Sequence, residues 1–128
     1  MGQSRSVGDV LQETPITVVE GHLTWLVART RREPQLSPQR VLFEDQSKIL
    51  IDALEVRGEH DVITRTIAGV WMAEDVTDDE ERLAEYAAGL DGATAGQPRH
   101  SPYAALAQSA ARFCTEVVKD RAGARRAG

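Results

Sequence analysis

The sequence predicts an all-α protein: a compact bundle of four to five helices with a mobile loop before the last helix. Apolar residues recur at the three- and four-residue spacing of helices over most of the chain. Ser or Thr followed directly by Pro precedes three of these segments, and Thr77 and Glu80 form a capping-box pattern before a fourth. The 128 residues are 41% hydrophobic and 27% charged, which is typical of one globular domain.

The first predicted helix, over about 15–32, begins at Thr14 and Pro15. Proline suits the first helical position, where its missing N–H is not needed, and the preceding hydroxyl can accept from the free amides of the first turn. A basic run at 29–32 suits the negative end of the helix dipole, and Pro34 stops the helix. Gly21 and two β-branched valines argue against this helix. Its apolar residues are Ile16, Val19, Leu23, Trp25 and Leu26.

The second helix follows Ser37 and Pro38 and ends before Gly58, the residue type expected just after a helix C-terminus. Its charged residues fall on the face opposite the apolar ones, as in an amphipathic helix. A hairpin through 45–47 is the rival structure, but the apolar residues fit the alternating spacing of strands poorly. The apolar face consists of Leu42, Phe43, Ile49, Leu50, Ala53 and Leu54.

The next two helices are predicted over about 61–74 and from the capping box to Leu90. Most apolar positions of 61–74 are β-branched, so a strand there remains an alternative. Thr77 and Glu80 can satisfy each other's free amides at the start of the second of these helices. Its core residues are predicted to be Leu83, Tyr86, Ala87 and Leu90.

A stretch over 91–101, rich in glycine and small polar residues, predicts the mobile loop. Ser101 and Pro102 then begin the last helix, over about 102–121. This helix is expected to complete the bundle or to form a dimer seam. Its core face is predicted to hold Leu106, Ala110, Phe113 and Val117.

The predicted single domain covers residues 1–128, with 1–13 and 122–128 flexible. Cys114 is the only cysteine, so no intrachain disulfide or Cys/His zinc framework can form, and a reducing cytoplasm fits best. The sequence holds no run of eighteen apolar residues and no signal-peptide pattern at its start. We therefore expect a cytoplasmic protein without a membrane partner. Thirteen arginines against two lysines are typical of GC-rich bacterial genomes.

No grouping of residues predicts catalysis, a metal ion or a cofactor. His22, His60 and His100 are not spaced as paired ligands one helical turn apart. No phosphate-binding, dinucleotide-binding or nucleophile-elbow motif occurs. Cys114 lies beside the apolar stripe of the last helix, where a thiol is more often buried than reactive. The sequence therefore favours a non-enzymatic protein and indicates no catalytic residue, cofactor or metal ligand.

Charge is divided unevenly along the chain, whose net charge is −5. Residues 59–91 hold ten acidic and two basic residues, a net charge of −8, whereas 92–128 hold six basic and two acidic residues, a net charge of +4. These faces can simply be solvated and attract one another weakly. Alternatively, the acidic face docks a basic partner or the basic end of a second copy.

Three classes of function follow, of which a small interaction or regulatory module that docks a protein partner or a second copy is favoured. The first alternative is a nucleic-acid-associated regulator with basic clusters at 29–32 and 112–126, although the net charge argues against tight binding to duplex DNA. The second is a helical small-molecule-binding protein or enzyme with a pocket lined by Trp25, Trp71 and His22. The residues predicted to bind a partner are Trp25, Trp71, Arg29, Arg31, Arg32 and Phe113.

Overall fold

The chain folds into a helical bundle, which confirms the predicted all-α class. The computed structural model describes residues 6–67, 76 and 80–127, and this part of the chain contains six helices and no strand. The helices are α1 (Val7–Glu13), α2 (Ile16–Arg32), α3 (Pro38–Val56), α4 (His60–Ile67), α5 (Glu80–Ala93) and α6 (Pro102–Ala127). None of them combines the length and the apolar character that crossing a membrane requires.

Helix α2 is the central helix of the bundle. Residues 21–26 are all buried, so no face of its middle turns reaches solvent. Helices α3, α4 and α6 pack around it, and α5 reaches it through a side-chain contact between His22 and Tyr86. A helix that is buried on every side must accommodate its small and polar residues inside the core, which is where Gly21 and His22 lie.

Two of the three helix N-termini that were predicted from a Ser-Pro or Thr-Pro pair form as expected. Ser37 Oγ accepts a hydrogen bond from the Arg40 amide, 3.0 Å away, with proline at the first position of α3. Ser101 Oγ accepts from the Tyr103 amide at 3.2 Å at the start of α6. Thr14 differs, because its hydroxyl donates back to the carbonyl of Val10 at 2.6 Å and does not cap α2.

The C-terminus of α3 has the glycine geometry that the sequence predicts. Gly58 has a φ of 76°, in the left-handed region that side-chain-bearing residues rarely adopt. Its amide donates to the carbonyl of Glu55, and the next amide, of Glu59, donates to Leu54. The chain therefore turns sharply from α3 into α4.

Helix α1 lies in the N-terminal segment 1–13, for which the sequence analysis predicted no helix. Ser6 and Asp9 form a capping box, with each side chain accepting from the other residue's amide. At the other end of α1, the Arg57 guanidinium from α3 donates to the carbonyls of Leu11 and Thr14 at 2.9 and 2.7 Å. Val10 and Leu11 are buried, so α1 is part of the core.

The segment predicted as a helix over 61–74 is helical in α4 as far as Ile67, which favours helix over strand there. Residues 68–75, which include Trp71, lie outside the described residues, and so does the Thr77 end of the predicted capping box. Helix α5 continues to Ala93, so the connection before α6 is shorter than the predicted loop over 91–101.

Helix α6 is longer than expected. It was predicted to end near residue 121 with a frayed tail over 122–128, but it runs to Ala127. Alanine and arginine dominate this tail, and both are strong helix formers. The four predicted core residues of α6 are all fully buried: Leu106, Ala110, Phe113 and Val117.

Helices α5 and α6 form an antiparallel pair. Cys114 Sγ donates to the carbonyl of Leu83, 3.3 Å away. Seven residues later in α6, Arg121 Nη2 donates to the carbonyl of Val76, seven residues before Leu83, at 2.6 Å. Earlier residues of α5 therefore lie level with later residues of α6. This pairing positions the surface described below.

Candidate docking site

His22 is the only fully buried histidine of the described chain, and both of its ring nitrogens are hydrogen-bonded. Nδ1 lies 2.5 Å from the Tyr86 hydroxyl and Nε2 lies 2.8 Å from Ser109 Oγ. The imidazole stacks on Phe113, with ring centroids 5.4 Å apart, and meets the edge of Tyr86. The polar network therefore ties α2, α5 and α6 together at the centre of the bundle.

The tautomer of His22 follows from the need to satisfy each hydroxyl. Ser109 Oγ donates to the carbonyl of Leu106 at 3.0 Å, so it is free to accept from His22 Nε2–H. Nδ1 is then the acceptor, and the Tyr86 hydroxyl donates to it. Every polar hydrogen of this network has an acceptor in that arrangement.

Burial lowers the pKa of His22 from its ordinary 6.5 to about 3, and it raises the pKa of Tyr86 well above its ordinary value, with a smaller contribution from Cys114. His22 is therefore neutral at physiological pH. Ser109 and His22 have the separation of a nucleophile and its base, but both are buried, so a substrate cannot reach them in the folded bundle. The network stabilises and orients the core.

Trp25 lies at the edge of this core, under two arginines. The Arg29 guanidinium carbon is 4.2 Å from the centroid of its ring, and that of Arg112 is 5.8 Å away. Trp25 Nε1 donates to Glu116, which also accepts from Arg29 at 2.8 Å. Arg29 belongs to the predicted basic cluster at 29–32 and Arg112 to the one at 112–126, so both clusters contribute an arginine that lies over the Trp25 ring.

The structure separates the residues that were predicted to bind a partner. Trp25 and Phe113 are buried, so neither is available on the surface while the bundle is folded. Arg29 is partly covered by its contacts with Trp25 and Glu116, whereas Arg31 and Arg32 are exposed at the end of α2. Trp71 lies outside the described residues, so the predicted pocket of Trp25, Trp71 and His22 cannot be placed as a whole.

An apolar groove of about 530 Å³ lies between α5 and α6 and opens to solvent. Its walls are short side chains, which leave the two backbones close to the surface. Val118 is 37% exposed there, and Ala84 and Ala111 are also exposed. Seven of the ten lining residues are apolar: Leu83, Ala84, Ala87, Ala111, Cys114, Val118 and Ala122. Glu80, Thr115 and Lys119 complete the lining.

Cys114 lies at the floor of this groove and is 8% exposed. Its thiol donates to the carbonyl of Leu83, and burial raises its pKa to about 12. The thiolate that nucleophilic chemistry needs is therefore scarce at neutral pH. Cys114 acts here as a small apolar residue that closes the α5–α6 contact.

The sequence analysis did not identify the groove. It placed the core stripes of α5 and α6 correctly, but it left open what covers the alanine faces beside them. A signal was present in the i, i+3, i+4, i+7 spacing of Ala111, Cys114, Thr115 and Val118, which continues the apolar surface beyond the core stripe. Whether these four residues are covered depends on where the other helices pack, and in the described part of the structure no other helix covers them.

In the described part of the chain, no group of three or more His, Cys, Asp or Glu side chains is arranged to hold a metal ion. The chain was also compared with models of known protein families, with curated proteins and with solved structures, and none of the three comparisons gave a match.

Proposed function

We propose that this chain is a protein-interaction module that docks a protein partner along the α5–α6 groove. The observation that carries the proposal is an apolar groove of about 530 Å³ that has Glu80 and Lys119 in its lining. Exposed apolar surface of this kind, bordered by charged residues, is typical of sites that bind other proteins. The module is expected to act in the cytoplasm.

The shape of the groove favours a helix as the docked element. Alanines on both walls allow a third helix to approach closely, as in helix-in-groove recognition. A small ligand is less favoured, because the groove is open to solvent and does not enclose a ligand. The network at His22 is not part of the docking surface, since its side chains are buried and none of them lines the groove.

The test compares two alanine-to-glutamate variants of α5. Ala84 lines the groove, whereas Ala88, which is also exposed and lies one turn along the same helix, does not line it. We expect Ala84→Glu to lose proteins that the parent chain captures from the host, as measured by quantitative mass spectrometry. Ala88→Glu should keep them. Equal capture by both variants would exclude the groove as the docking surface.

A second candidate function, association with nucleic acid, is favoured by one observation. Arg29 and Arg112, which belong to the two separate basic clusters of the sequence, lie over the same face of the molecule at Trp25. Glu116 neutralises part of this charge, so phosphate contact would depend on Arg112. Arg112→Ala should weaken nucleic-acid binding and reduce its salt dependence in a filter-binding assay. An unchanged salt dependence would exclude this surface.

A further inference from the structure

A second cleft, of about 400 Å³, opens to solvent between α2 and α6, and we call it the arginine cleft. Its lining is mainly polar, unlike that of the α5–α6 groove, because it contains two arginines and a glutamate. The arginines come from basic clusters that are far apart in the sequence, so the fold alone brings them to one opening. The lining residues are Arg29 from α2 and Ala111, Arg112, Thr115 and Glu116 from α6.

The Trp25 ring keeps the two guanidinium groups near each other. Their central carbons lie 4.2 and 5.8 Å from the ring centroid, so these carbons are at most about 10 Å apart. A cation–π contact restricts where an arginine side chain lies, because the ring face attracts the positive charge. Two positive charges at this distance repel each other, and both attract an anion that enters between them.

Glu116, the carboxylate in the lining, is already engaged. Its Oε1 accepts from Arg29 at 2.8 Å, and its Oε2 accepts from Arg29 at 2.9 Å and from Trp25 Nε1. Glu116 lies one turn after Arg112 on α6, yet the structure forms no ion pair between them and gives Arg112 no other carboxylate partner in the described chain. The charge of Arg29 is therefore balanced, whereas the charge of Arg112 is not.

Both arginines keep hydrogen-bond donors for a ligand. Arg29 donates to Glu116 through Nη2 alone, and its buried Nε has no acceptor. Arg112 is exposed, and its guanidinium donates to no residue of the described chain. A guanidinium carries five N–H groups in a planar fork that matches the oxygens of a phosphate group. The arginine cleft thus has unused donors of the type that binds phosphate.

We propose that the arginine cleft binds a phosphate group, with Arg112 as the main contact and Arg29 as the second. The ionised residues of the lining have a net charge of +1, which attracts an anion. A phosphate group carries about −1.5 to −2 charges at pH 7 and several acceptor oxygens, so it can bridge two guanidinium groups. This site goes beyond the docking function of the α5–α6 groove and does not depend on it. It also gives the chemical group that a nucleic-acid strand would place there, a small phosphate ester being the other source.

Inorganic phosphate is the probe, and the indole N–H of Trp25 is the reporter, because it donates to Glu116 beside both arginines. The chain has two tryptophans, so a proton–nitrogen correlation spectrum has two indole signals, which Trp71→Phe assigns. Phosphate replaces chloride at constant ionic strength, which keeps general screening fixed. We expect the Trp25 signal to move and to saturate, with a dissociation constant of about 1–10 mM for so open a site.

Arg112→Gln and Arg99→Gln are the matched variants. Each removes one positive charge from an exposed position, but Arg99 precedes α6 and does not line the arginine cleft. Arg112→Gln should weaken phosphate binding by about ten-fold or more, because a charge-assisted hydrogen bond is lost. Arg99→Gln should bind phosphate like the parent. A Trp25 signal that does not saturate in the parent overturns the phosphate site, and so does an equal dissociation constant for Arg112→Gln and the parent.

A short single-stranded oligonucleotide distinguishes the two sources of the phosphate group. If it saturates the Trp25 signal at lower concentration than inorganic phosphate does, and Arg112→Gln removes this response, the site is supported as a contact for a nucleic-acid strand. If inorganic phosphate saturates the signal and the oligonucleotide does not move it, the site is supported as one for a small phosphate ester. Capture of host proteins by Ala84→Glu tests the docking function separately, so either proposal can fail while the other stands.

Discussion

At the scale of single residues, Gly21 is a position where the packed core leaves no room for a side chain. A Cβ atom placed on Gly21 would lie 2.9 Å from Phe113 Cζ and 2.9 Å from Val76 Cγ2. The sequence analysis counted this glycine as an argument against a helix, because glycine lowers helix propensity. The structure gives the reason for its presence: α2 is covered on all sides, and the absent side chain makes room for the aromatic ring of α6.

We expect Gly21→Ala to lower the free energy of unfolding by about 1–3 kcal/mol, because the added methyl group overpacks the core and outweighs the gain in helix propensity. Denaturant unfolding measures the change. Gly92→Ala is the matched control, since no atom lies within 4 Å of a Cβ placed there, and it should be neutral or stabilising by up to about 1 kcal/mol. Equal stability of the two variants would contradict the packing at Gly21.

His22 makes the stability of the fold depend on pH. The unfolded chain takes up a proton at this histidine below its ordinary pKa of 6.5, whereas the folded chain does so only near its lowered pKa of about 3. The unfolded state therefore binds more protons between these pKa values, and stability falls as the pH drops from about 6.5 towards 3. Above pH 6.5 this loss is absent.

The predicted loss from His22 at pH 5 is about 2 kcal/mol relative to pH 7. His22→Gln keeps a neutral polar side chain but cannot titrate, so the pH 7 to pH 5 difference should shrink by about that amount in denaturant unfolding. His60→Gln replaces an exposed histidine and should retain the dependence of the parent. If His22→Gln shows the same pH dependence as the parent, the network at His22 is not the cause.

At the scale of helices, α6 shows most clearly what the sequence could and could not predict. Its proline start and its core stripe were predicted because both depend on local spacing. Its length was not predicted, because the tail contains Gly123 and Gly128, and glycine has low helix propensity. The groove beside α6 was not predicted either, since exposure of an alanine face depends on which helices pack elsewhere. For α1 the signal was present: Ser6 and Asp9 have the capping-box spacing but begin only a short helix.

Phe113 tests whether α6 packs within its own chain. It is fully buried and contacts the rings of His22 and Trp25, with centroids 5.4 and 6.5 Å away. Phe113→Ala should cost about 3–5 kcal/mol, much of the stability of a domain of this size. Thermal unfolding measures the loss. A variant that melts and sediments like the parent would show that α6 does not pack as described.

At the scale of the whole molecule, the aromatic residues of the core are separate from the surface that we propose for docking. Trp25 and Phe113, which the sequence analysis predicted as partner contacts, lie inside together with His22 and Tyr86. The proposed docking surface is formed instead by alanines and Val118 in the groove between α5 and α6. Small side chains lose little conformational freedom on binding, so such a surface suits close packing against a preformed helix.

Quantitative capture of host proteins by the parent, Ala84→Glu and Ala88→Glu tests the central claim most directly. We expect the parent and Ala88→Glu to capture the same partner. Ala84→Glu should lose that partner, because it places a charge in the apolar groove between α5 and α6. Equal capture by all three chains would contradict the account of this groove as the interaction surface.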